Sequence, residues 1–426
     1  MELKRSAIER KEDKMVKIAV MGYGVVGSGT VEVFYKNLSS IETKIGDNAE
    51  IKYILDLRDF SGTPYDDKFI KDFNTILNDP EITVVAEVIG GLKPAYDFVK
   101  SLLEAGKSVV TSNKELVAEK GAELLHIARE KKVNFFFEAS VGGGIPIIRP
   151  LHHCMSANEI DEIAGILNGT TNFILTKMIN EGMAFDEALS TAQKLGYAER
   201  NPAADVEGHD ACRKICILAS LAFGKHVYPK DVHTEGITEV TLEDVQYCND
   251  FGGAVKLIGW AARRGGKAAV MVCPAFISEE SQLSSVNDVF NAILVRGDAT
   301  GDVVFYGRGA GKLPTASAVV SDIIMAAKMH GNSKSLYWET SDGEFVLDYK
   351  ELKNKFYLRL ICGDKAAAVK QAEKMWGKVK ILHRDQESEN EIAFITEEVS
   401  EGQFESDCAE LAKSAEIKGK IRVLDY

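Results

Sequence analysis

The chain has 426 residues, 45% hydrophobic and 27% charged, which are ordinary values for globular proteins. It is too long for one small core, so two or three domains are expected. Its formal net charge of −13 argues against a nucleic-acid or anionic-membrane surface, because such surfaces need clustered Lys and Arg.

The cysteines and the terminus indicate a cytoplasmic protein. Seven cysteines are scattered without a C-x-x-C pair, which favours free thiols in a reducing compartment. No apolar run approaches the roughly 18 residues of a membrane span. Residues 1–14 lack the apolar core of a signal peptide and are interpreted as a polar N-terminal extension. We expect neither a membrane nor a nucleic acid as partner.

A glycine motif follows the first predicted strand, residues 16–21. It is G-x-G-x-x-G over residues 22–27, and a predicted helix at 28–38 comes next. A strand before and a helix after give this motif its weight, because the helix N-terminus then supplies amide donors to a pyrophosphate. The residues predicted to bind a dinucleotide here are Gly22, Tyr23, Gly24, Val25, Val26 and Gly27.

The second predicted strand, residues 50–57, bears on which dinucleotide binds. Asp56 near its end suits a hydrogen bond to the adenosine ribose, whereas Arg58 suits a 2′-phosphate. The two signals compete, so NAD and NADP both stay open.

Strands and helices then alternate, with strands at 83–89, 108–111 and 133–138 and helices at 94–105 and 114–132. This alternation predicts a parallel doubly wound sheet, whose ligands lie beyond the carboxyl ends of the strands. The residues that fall at that edge are Gly90, Gly91, Ser112, Lys114 and Glu138. Lys114 starts a helix, where its charge opposes the helix dipole, and this favours a ligand contact.

A glycine-rich turn at 140–146 leaves the sheet. It suits an anion, a cation bound by its carbonyls together with Glu138, or a hinge. Beyond it come a strand from Glu159 and a polar cluster at 168–172 that opens a helix ending at Glu181. This cluster, which includes Thr170, is either an N-cap or a substrate contact. Further on we predict a helix at 244–264, strands at 268–276, 292–297 and 301–307, and a helix at 314–329.

The run at 196–214 is the most unusual stretch of the chain. It passes into a helix, 210–223, that has almost no polar face and is therefore expected to be mostly buried. Asp210 and Lys214 lie one turn apart on this helix. Together with Glu199 and Asp205 they form a cluster that suits binding of an ammonium group and transfer of one proton. The alternative is a surface ion pair, for which this helix lacks the exposed face.

The tail is predicted as a strand at 356–362, a helix at 366–376, strands at 379–383 and 391–396, a helix at 401–414 and a strand at 420–424. This βαββαβ order indicates a small α+β module.

Several motifs together resemble the homoserine dehydrogenase family over roughly residues 15–330. They are GYGVVG at 22–27, SNK at 112–114, EASVGGGIPII at 138–148, NGTTNFIL at 168–175, GYAERNPAADVEGHDACRKICILA at 196–219 and GRGAGKLPTASAVVSDI at 307–323. The tail resembles a regulatory ACT domain, with GDKAA at 363–367 where a D-x-P-G turn is common.

The resemblance implies an α/β protein with a doubly wound parallel (Rossmann) sheet, an α+β catalytic and dimerisation domain, and a C-terminal βαββαβ (ACT-like) domain. The implied boundaries are 15–138 for the dinucleotide-binding domain, completed by helix 314–330, then 139–313, a linker at 331–353, and 354–426. The implied activity is the reversible NAD(P)-dependent reduction of L-aspartate 4-semialdehyde to L-homoserine. This reaction belongs to threonine, methionine and isoleucine biosynthesis, and the family implies a homodimer or higher homo-oligomer.

The same resemblance assigns roles to residues. Lys214 is implied as the acid/base residue, with Lys114 as a second lysine on the reacting oxygen. The implied substrate-binding residues are Glu199, Asp205, Asp210, Lys114 and Thr170. Gly311 is implied as a further cofactor contact. A monovalent cation, Na or K, is implied at Glu138 and the carbonyls of Val141, Gly143 and Ile145.

Three other functions share features with this sequence. A dehydrogenase acting on another amino-acid aldehyde would use the same groups. A phosphorylating semialdehyde dehydrogenase needs a cysteine activated by histidine, and Cys154 lies in a probable helix that does not suit that role. A non-catalytic dinucleotide or amino-acid sensor would not need two placed lysines.

Overall fold

The structure, a computed structural model, describes residues 15–329 and 336–424. These residues divide into two compact units. The first contains the chain up to Leu116, Glu123–Ala139 and Thr315–Leu336, and the second contains Val117–Ala122, Ser140–Pro314 and the chain from Tyr337 onward. The predicted extension at 1–14 lies outside the described residues, as do residues 331–335 of the predicted linker and residue 330 of the predicted helix.

Two findings bear on the expected environment. Within the two described ranges, no helix combines the length and hydropathy that crossing a membrane requires. All seven cysteines are free, and all but Cys154 are buried. The prediction of free thiols is therefore confirmed.

The first unit contains a parallel sheet. Its strands are β1 (Met15–Met21), β2 (Asn48–Leu55), β3 (Phe69–Ile70), β4 (Ile82–Glu87), β5 (Ser108–Thr111) and β6 (Phe135–Phe136). In the described part of the chain these six strands lie in the order β3-β2-β1-β4-β5-β6, and every pairing is parallel. This is the order of a doubly wound dinucleotide-binding sheet, with its switch point between β1 and β4. The predicted α/β class with a doubly wound parallel sheet is confirmed.

Helices connect these strands. They are α1 (Val25–Lys36), α2 (Leu38–Ile45), α3 (Phe73–Asn78), α4 (Ala95–Glu104) and α5 (Lys114–Lys131). The helix predicted at 28–38 begins earlier, because Gly24 is already its N-cap residue, and it is interrupted at Asn37. The strand predicted at 133–138 pairs only over two residues. It ends early because a 3₁₀ turn starts at Glu138, whose backbone N–H donates to buried Asp322 (2.8 Å).

The second unit contains a larger, mixed sheet. Its strands are β7 (Ile160–Ile166), β8 (His233–Thr234), β9 (Gly253–Arg264), β10 (Lys267–Ser278), β11 (Phe290–Gly297), β12 (Gly301–Arg308), β13 (Lys353–Ile361), β14 (Lys380–Leu382), β15 (Glu391–Ile395), β16 (Val399–Ser400) and β17 (Glu416–Leu424). The main path among the described strands is β12-β11-β7-β9-β10-β17-β13-β15-β14. Among these described strands, β8 and β17 pair in parallel with β10, and the other pairings are antiparallel.

The remaining helices follow in chain order. They are α6 (Gly169–Glu181), α7 (Phe185–Lys194), α8 (Ala203–Val206), α9 (His209–Phe223), α10 (Leu242–Phe251), α11 (Lys312–Lys328), α12 (Lys365–Trp376) and α13 (Glu401–Leu411). From Thr315 onward, α11 belongs to the first unit. Helix α9 packs on β9 and β10, where Gly259 leaves room for it: a Cβ there would lie 3.3 Å from the Cβ of Ile215.

The tail continues the sheet of the second unit. Strand β17 pairs with β10 through Arg422–Leu424 and Ala275–Ile277. The order of elements in the tail is the predicted βαββαβ, with short β16 added. The tail also has a core of its own, in which the rings of Phe356 and Phe404 stack at 3.6 Å. Its likeness to an ACT domain and a domain boundary near residue 353 stay predictions.

The prediction of one helix over 244–264 is wrong for its second half, which forms a strand. Gly252 adopts a left-handed conformation (φ +85°) and ends α10, and the chain then enters β9. Strand β9 lies between β7 and β10 with both faces mostly covered. Such a strand has a continuous apolar sequence, which cannot be distinguished from a buried helix by periodicity.

Strand β9 of this sheet contains a fully buried lysine. Lys256 on β9 donates to the carbonyl of Val286 (2.5 Å) and to the side-chain oxygens of Asn287 (3.2 Å) and Asn172 (3.3 Å). The Asn172 amide in turn donates to two carbonyls of the loop that precedes β11, Val286 and Asp288, and to that of Phe290, the first residue of β11. Burial lowers the pKa of Lys256 to about 8, although the nearby charge of Asp288 acts in the opposite direction.

Replacing Lys256 with Met should change how stability depends on pH. Below pH 8 the lysine is protonated in both folded and unfolded chains, so the full cost of burying its charge is present. Between pH 8 and 10.5 only the unfolded chain still binds the proton. Wild-type stability should therefore rise relative to Lys256→Met by on the order of 3 kcal/mol. Denaturant unfolding at pH 7.5 and pH 10 measures this, with exposed Lys378→Met as control. A difference independent of pH would contradict it.

Candidate functional site

The glycine motif forms a tight loop between β1 and α1. Gly22 has φ +97°, which favours glycine, and a Cβ on Gly27 would lie 1.9 Å from the Gly22 carbonyl oxygen. A Cβ on Gly24 would have no atom within 4 Å among the described residues, so its backbone is open to approach. The first and third glycines are thus required by the turn and by close packing, and the second leaves space for a phosphate. Val25 and Val26 form the first turn of α1 behind this loop.

The two residues that bear on the choice of dinucleotide contact each other. Arg58 donates from Nε to Oδ1 of Asp56 (3.0 Å) and from Nη2 to Oδ2 (2.8 Å), and the backbone N–H of Tyr23 also donates to Oδ2 (2.8 Å). The Arg58 hydrogen bonds hold the pKa of Asp56 well below its usual range. The Arg58 side chain is 61% exposed, whereas that of Asp56 is 10% exposed. Arg58 is therefore the solvent-facing group of the pair.

A buried carboxylate that the sequence analysis missed joins two loops at the sheet edge. Oε1 of Glu87 accepts from the backbone N–H groups of Ile89 (2.8 Å) and Gly90 (3.3 Å), and Oε2 accepts from the Thr111 hydroxyl (2.6 Å). The Thr111 oxygen accepts from the N–H of Asn113 (2.9 Å). Burial raises the pKa of Glu87, and the hydrogen bonds it accepts act against that rise. The available signal was an acidic residue at the end of an apolar strand.

The same edge contains the other predicted cofactor residues of the first unit. Gly90 and Gly91 are exposed in left-handed conformations, φ +86° and +72°. The Asn113 side chain donates to the Gly91 carbonyl (2.6 Å) and caps α5 by accepting from Leu116 N–H (3.1 Å). Helix α5 begins at Lys114, directly after Ser112 and Asn113. Glu87 and Asn113 therefore hold together the loops that carry these residues. Gly311 lies in the second unit, exposed, with φ +123°.

In the second unit, the predicted acid/base residue is buried. The Lys214 ammonium donates to the Leu167 carbonyl (2.7 Å) and to Oδ2 of Asp210 (2.7 Å), and the side chains of Lys214 and Asp210 are 9% and 5% exposed. Helix α9 brings the two residues together at its N-terminal end, after Gly208 with φ +84°. The surface-pair alternative is thereby excluded, because the pair is withdrawn from water.

One amide connects the acidic residues. The Nδ2 group of Asn168 donates to Oδ1 of Asp205 (2.7 Å) and to Oδ2 of Asp210 (2.9 Å). Its Oδ1 accepts from the N–H of Thr171 (2.8 Å) and caps α6. The N-cap interpretation of the polar cluster is therefore confirmed for Asn168, and a substrate contact by this cluster stays a prediction. The sequence indicated the polar cluster that contains Asn168 but not its contacts with Asp205 and Asp210, because these partners lie 37 and 42 residues away.

The other predicted substrate residues lie at the rim. The Thr170 hydroxyl donates to the Tyr197 carbonyl (2.7 Å), which ties the start of α6 to the loop that carries Glu199. Glu199 itself is exposed. The structure thus brings Asp205, Asp210 and Lys214 into one network and leaves Glu199 facing solvent.

Of the predicted cation residues, Glu138 belongs to the first unit and the other three to a turn at the start of the second. Glu138 is buried, and so are Val141, Gly143 and Ile145. Gly143 has φ +56°, and a Cβ there would lie 2.3 Å from the Gly309 carbonyl oxygen, so only glycine fits. The described residues contain no group of three or more His, Cys, Asp or Glu suited to a metal ion. A cation in this turn would therefore depend on carbonyl oxygens together with the one carboxylate.

Replacing Glu87 with Gln should weaken dinucleotide binding. An amide cannot accept at both ends, so either the Thr111 hydroxyl or the backbone N–H groups lose a buried acceptor, which costs about 1–3 kcal/mol. We expect the Kd of a reduced dinucleotide, measured by its fluorescence, to rise about fivefold or more. Glu123→Gln, on a partly exposed carboxylate of α5, is the matched control. An unchanged Kd together with a lowered Tm would limit Glu87 to stabilising the fold.

Two family models match the chain. One described as homoserine dehydrogenase matches residues 146–324, and one described as homoserine dehydrogenase, NAD binding domain, matches residues 22–138. The homoserine dehydrogenase of Synechocystis sp. is 38% identical, covering 96% of this chain and 99% of the relative. That of Bacillus subtilis is 42% identical, covering 74% of this chain and 73% of the relative.

Solved structures agree with these matches. The crystal structure of a homoserine dehydrogenase from Thiobacillus denitrificans has a TM-score of 0.89 and 34% identity, covering 97% of this chain and 99% of that one. A hyperthermophilic archaeal homoserine dehydrogenase mutant in complex with NADPH has a TM-score of 0.63 and 29% identity, covering 73% of this chain and 97% of that one. The motifs, the fold and these relatives together establish that the chain belongs to the homoserine dehydrogenase family.

Proposed function

We propose that this protein interconverts L-aspartate 4-semialdehyde and L-homoserine with a nicotinamide dinucleotide, using Lys214 as acid and base. The observation that carries this proposal is the buried Lys214–Asp210 pair at the end of β7, next to a second carboxylate, Asp205. Family membership favours this reaction over a sensor, which would need no buried lysine.

The chemistry divides between the cofactor and the chain. The bound dinucleotide supplies or accepts the hydride at the substrate carbon. Lys214 donates a proton to the oxygen that becomes the hydroxyl of homoserine, and in the reverse direction it accepts that proton. An ammonium beside the oxygen also stabilises the negative charge that develops there. Lys114 is proposed as a second cation at this oxygen.

The acidic residues are proposed to bind the amino group of the substrate. Asp205 and Asp210 share the Asn168 amide, so their carboxylates are oriented before substrate arrives. Preorganised groups bind at lower entropic cost than groups on mobile side chains. Glu199 is proposed to contact the substrate from the exposed rim, and Thr170 to fix that rim through its bond to Tyr197.

NADP is proposed as the preferred dinucleotide. Both oxygens of Asp56 already accept hydrogen bonds from Arg58, so the ribose diol would have to compete for them. The exposed Arg58 guanidinium suits a 2′-phosphate, and the archaeal relative was solved with NADPH. The other proposed contacts are the 22–27 loop, Gly90, Gly91, Ser112, Lys114 and Gly311.

A monovalent cation is proposed at the 138–145 turn. The Glu138 carboxylate and the carbonyls of Val141, Gly143 and Ile145 would bind it, because hard cations prefer oxygen ligands. Its charge would fix the conformation of the turn. The homo-oligomeric state and the cytoplasmic location stay predictions.

Lys214→Ala should abolish most turnover while cofactor binding is retained. Loss of a general acid/base group typically lowers the rate by about 10²–10⁴-fold. The assay follows NAD(P)H absorbance with L-homoserine at alkaline pH, and the fluorescence of bound NAD(P)H reports cofactor affinity. Lys177→Ala is the matched control, because Lys177 also pairs with an acid four residues away, Glu181, but at the surface. A wild-type kcat in Lys214→Ala would refute the assignment.

Arg58→Gln should separate the two dinucleotides. Losing the guanidinium removes the charge opposite a 2′-phosphate, so the KM for NADP should rise about tenfold, while that for NAD should stay within about twofold. Steady-state kinetics with each dinucleotide measure this. An equal rise for both would show that Arg58 supports the loop through Asp56 and does not select the cofactor.

A further inference from the structure

An arginine in the tail connects two segments that lie far apart in sequence. Arg422 on β17 donates from Nε and Nη2 to the two oxygens of Glu401 (2.7 Å each). It also donates from Nη1 and Nη2 to the two oxygens of Glu235 (2.7 and 2.9 Å). Glu401 begins α13 of the tail, whereas Glu235 lies 187 residues before Arg422, just after β8. The side chains of Arg422 and Glu401 are 7% and 1% exposed, whereas that of Glu235 is 31% exposed, so the second contact is only partly shielded from water.

Glu235 belongs to a firmly held segment. Its backbone N–H donates to the Val272 carbonyl of β10 (2.8 Å), and its Oε1 is hydrogen-bonded to Nε2 of His233 (2.7 Å). Burial acts to raise the pKa of Glu235, but the bonds from His233 and Arg422 outweigh it and hold this pKa well below its usual range. The Glu235 carboxylate is therefore a charged, fixed partner for Arg422.

The residues after Glu235 press against the turn between α8 and α9. The N–H of Ile237 donates to the Val206 carbonyl (2.8 Å), and a Cβ on Gly236 would lie 2.0 Å from that same oxygen. On the other side, a Cβ on Gly208 would lie 3.1 Å from the Glu235 carbonyl oxygen. The contacts of Gly236 and Ile237 with Val206 are thus between backbone atoms, and Gly208 lies close to the Glu235 backbone and to the side chains of Thr234 and Val272. We therefore expect a shift of the Glu235 backbone to displace the 206–208 turn.

That turn separates the two acids of the proposed substrate site. Asp205 precedes Val206 in α8, and Asp210 follows Gly208 in the first turn of α9. We propose that Arg422 is a positioning residue for substrate binding, by which the tail sets the placement of Asp205 and Asp210 through Glu235 and the 206–208 turn. This inference rests on the proposed function, in which those two acids bind the amino group of the substrate.

A purely structural role for Arg422 would have a different consequence. Losing a buried ion pair would then lower the thermal stability and leave the kinetics of the folded enzyme unchanged. A positioning role changes the KM for homoserine in enzyme that is still folded. The KM for the dinucleotide should not change, because its glycine loop belongs to the first unit.

The test is Arg422→Gln in the full-length protein, assayed below its own Tm. We expect the KM for homoserine to rise about fivefold or more, the low end of measured couplings between sites, with the KM for NAD(P) within about twofold. Glu235→Gln should give the same pattern. The double variant should be no worse than the worse single variant, because both changes break one link. If Arg422→Gln does not fold, Arg422→Lys takes its place, with a smaller rise expected.

Arg384→Gln is the matched control. Arg384 is another tail arginine that donates two hydrogen bonds to one carboxylate, that of Glu391 (2.9 and 2.8 Å). These hydrogen bonds do not involve Glu235. Equal KM values for homoserine in Arg384→Gln and Arg422→Gln would overturn the positioning role. So would an unchanged KM in Arg422→Gln alongside an inactive Lys214→Ala, which would leave the proposed function standing. Absence of homoserine turnover in the wild type would reject both.

Discussion

The arrangement of the second unit depends on an ammonium group that has been removed from water. A buried charge without partners costs several kcal/mol, so Lys214 requires the Asp210 carboxylate and the Leu167 carbonyl. Asp210 in turn receives the Asn168 amide, which also reaches Asp205 and caps α6. One connected set of hydrogen bonds therefore fixes the end of β7 and the starts of α6 and α9. The acids are placed by this set and not by the conformation of a loop alone.

The first unit could be predicted from its sequence because its signals are local. The glycines of residues 22–27 have the φ values and close approaches that the motif implies, and the alternation of strands and helices gave the correct sheet. The role of Glu87 could not be predicted from the sequence, because it depends on Thr111, which lies 24 residues later on a neighbouring strand. An acidic residue at the end of an apolar strand can be exposed to solvent, capped or buried in a hydrogen-bond network, and the sequence alone does not distinguish these environments.

The second unit was less predictable for the same reason. The spacing of Asp210 and Lys214 indicated a pair on one helix face, and the lack of a polar face indicated burial, as observed. The contact of Lys214 with Leu167 and that of Arg422 with Glu235 join residues 47 and 187 positions apart, and no periodicity reports such contacts. Strand β9 was misassigned because burial on both faces removes the alternation by which a strand is recognised.

The two units therefore obtain accurate geometry in different ways. In the first, glycines permit the backbone to approach a ligand closely, and few side chains are required. In the second, buried cations are matched to carboxylates: Lys214 to Asp210 on its own helix, and, across distant segments, Arg359 to Asp244 and Arg422 to Glu235 and Glu401. Such pairs add little net stability, but breaking one leaves an uncompensated buried charge. A shift of the tail strands relative to β10 would break the Arg422–Glu235 pair and leave the Arg422–Glu401 pair, which lies within the tail, intact.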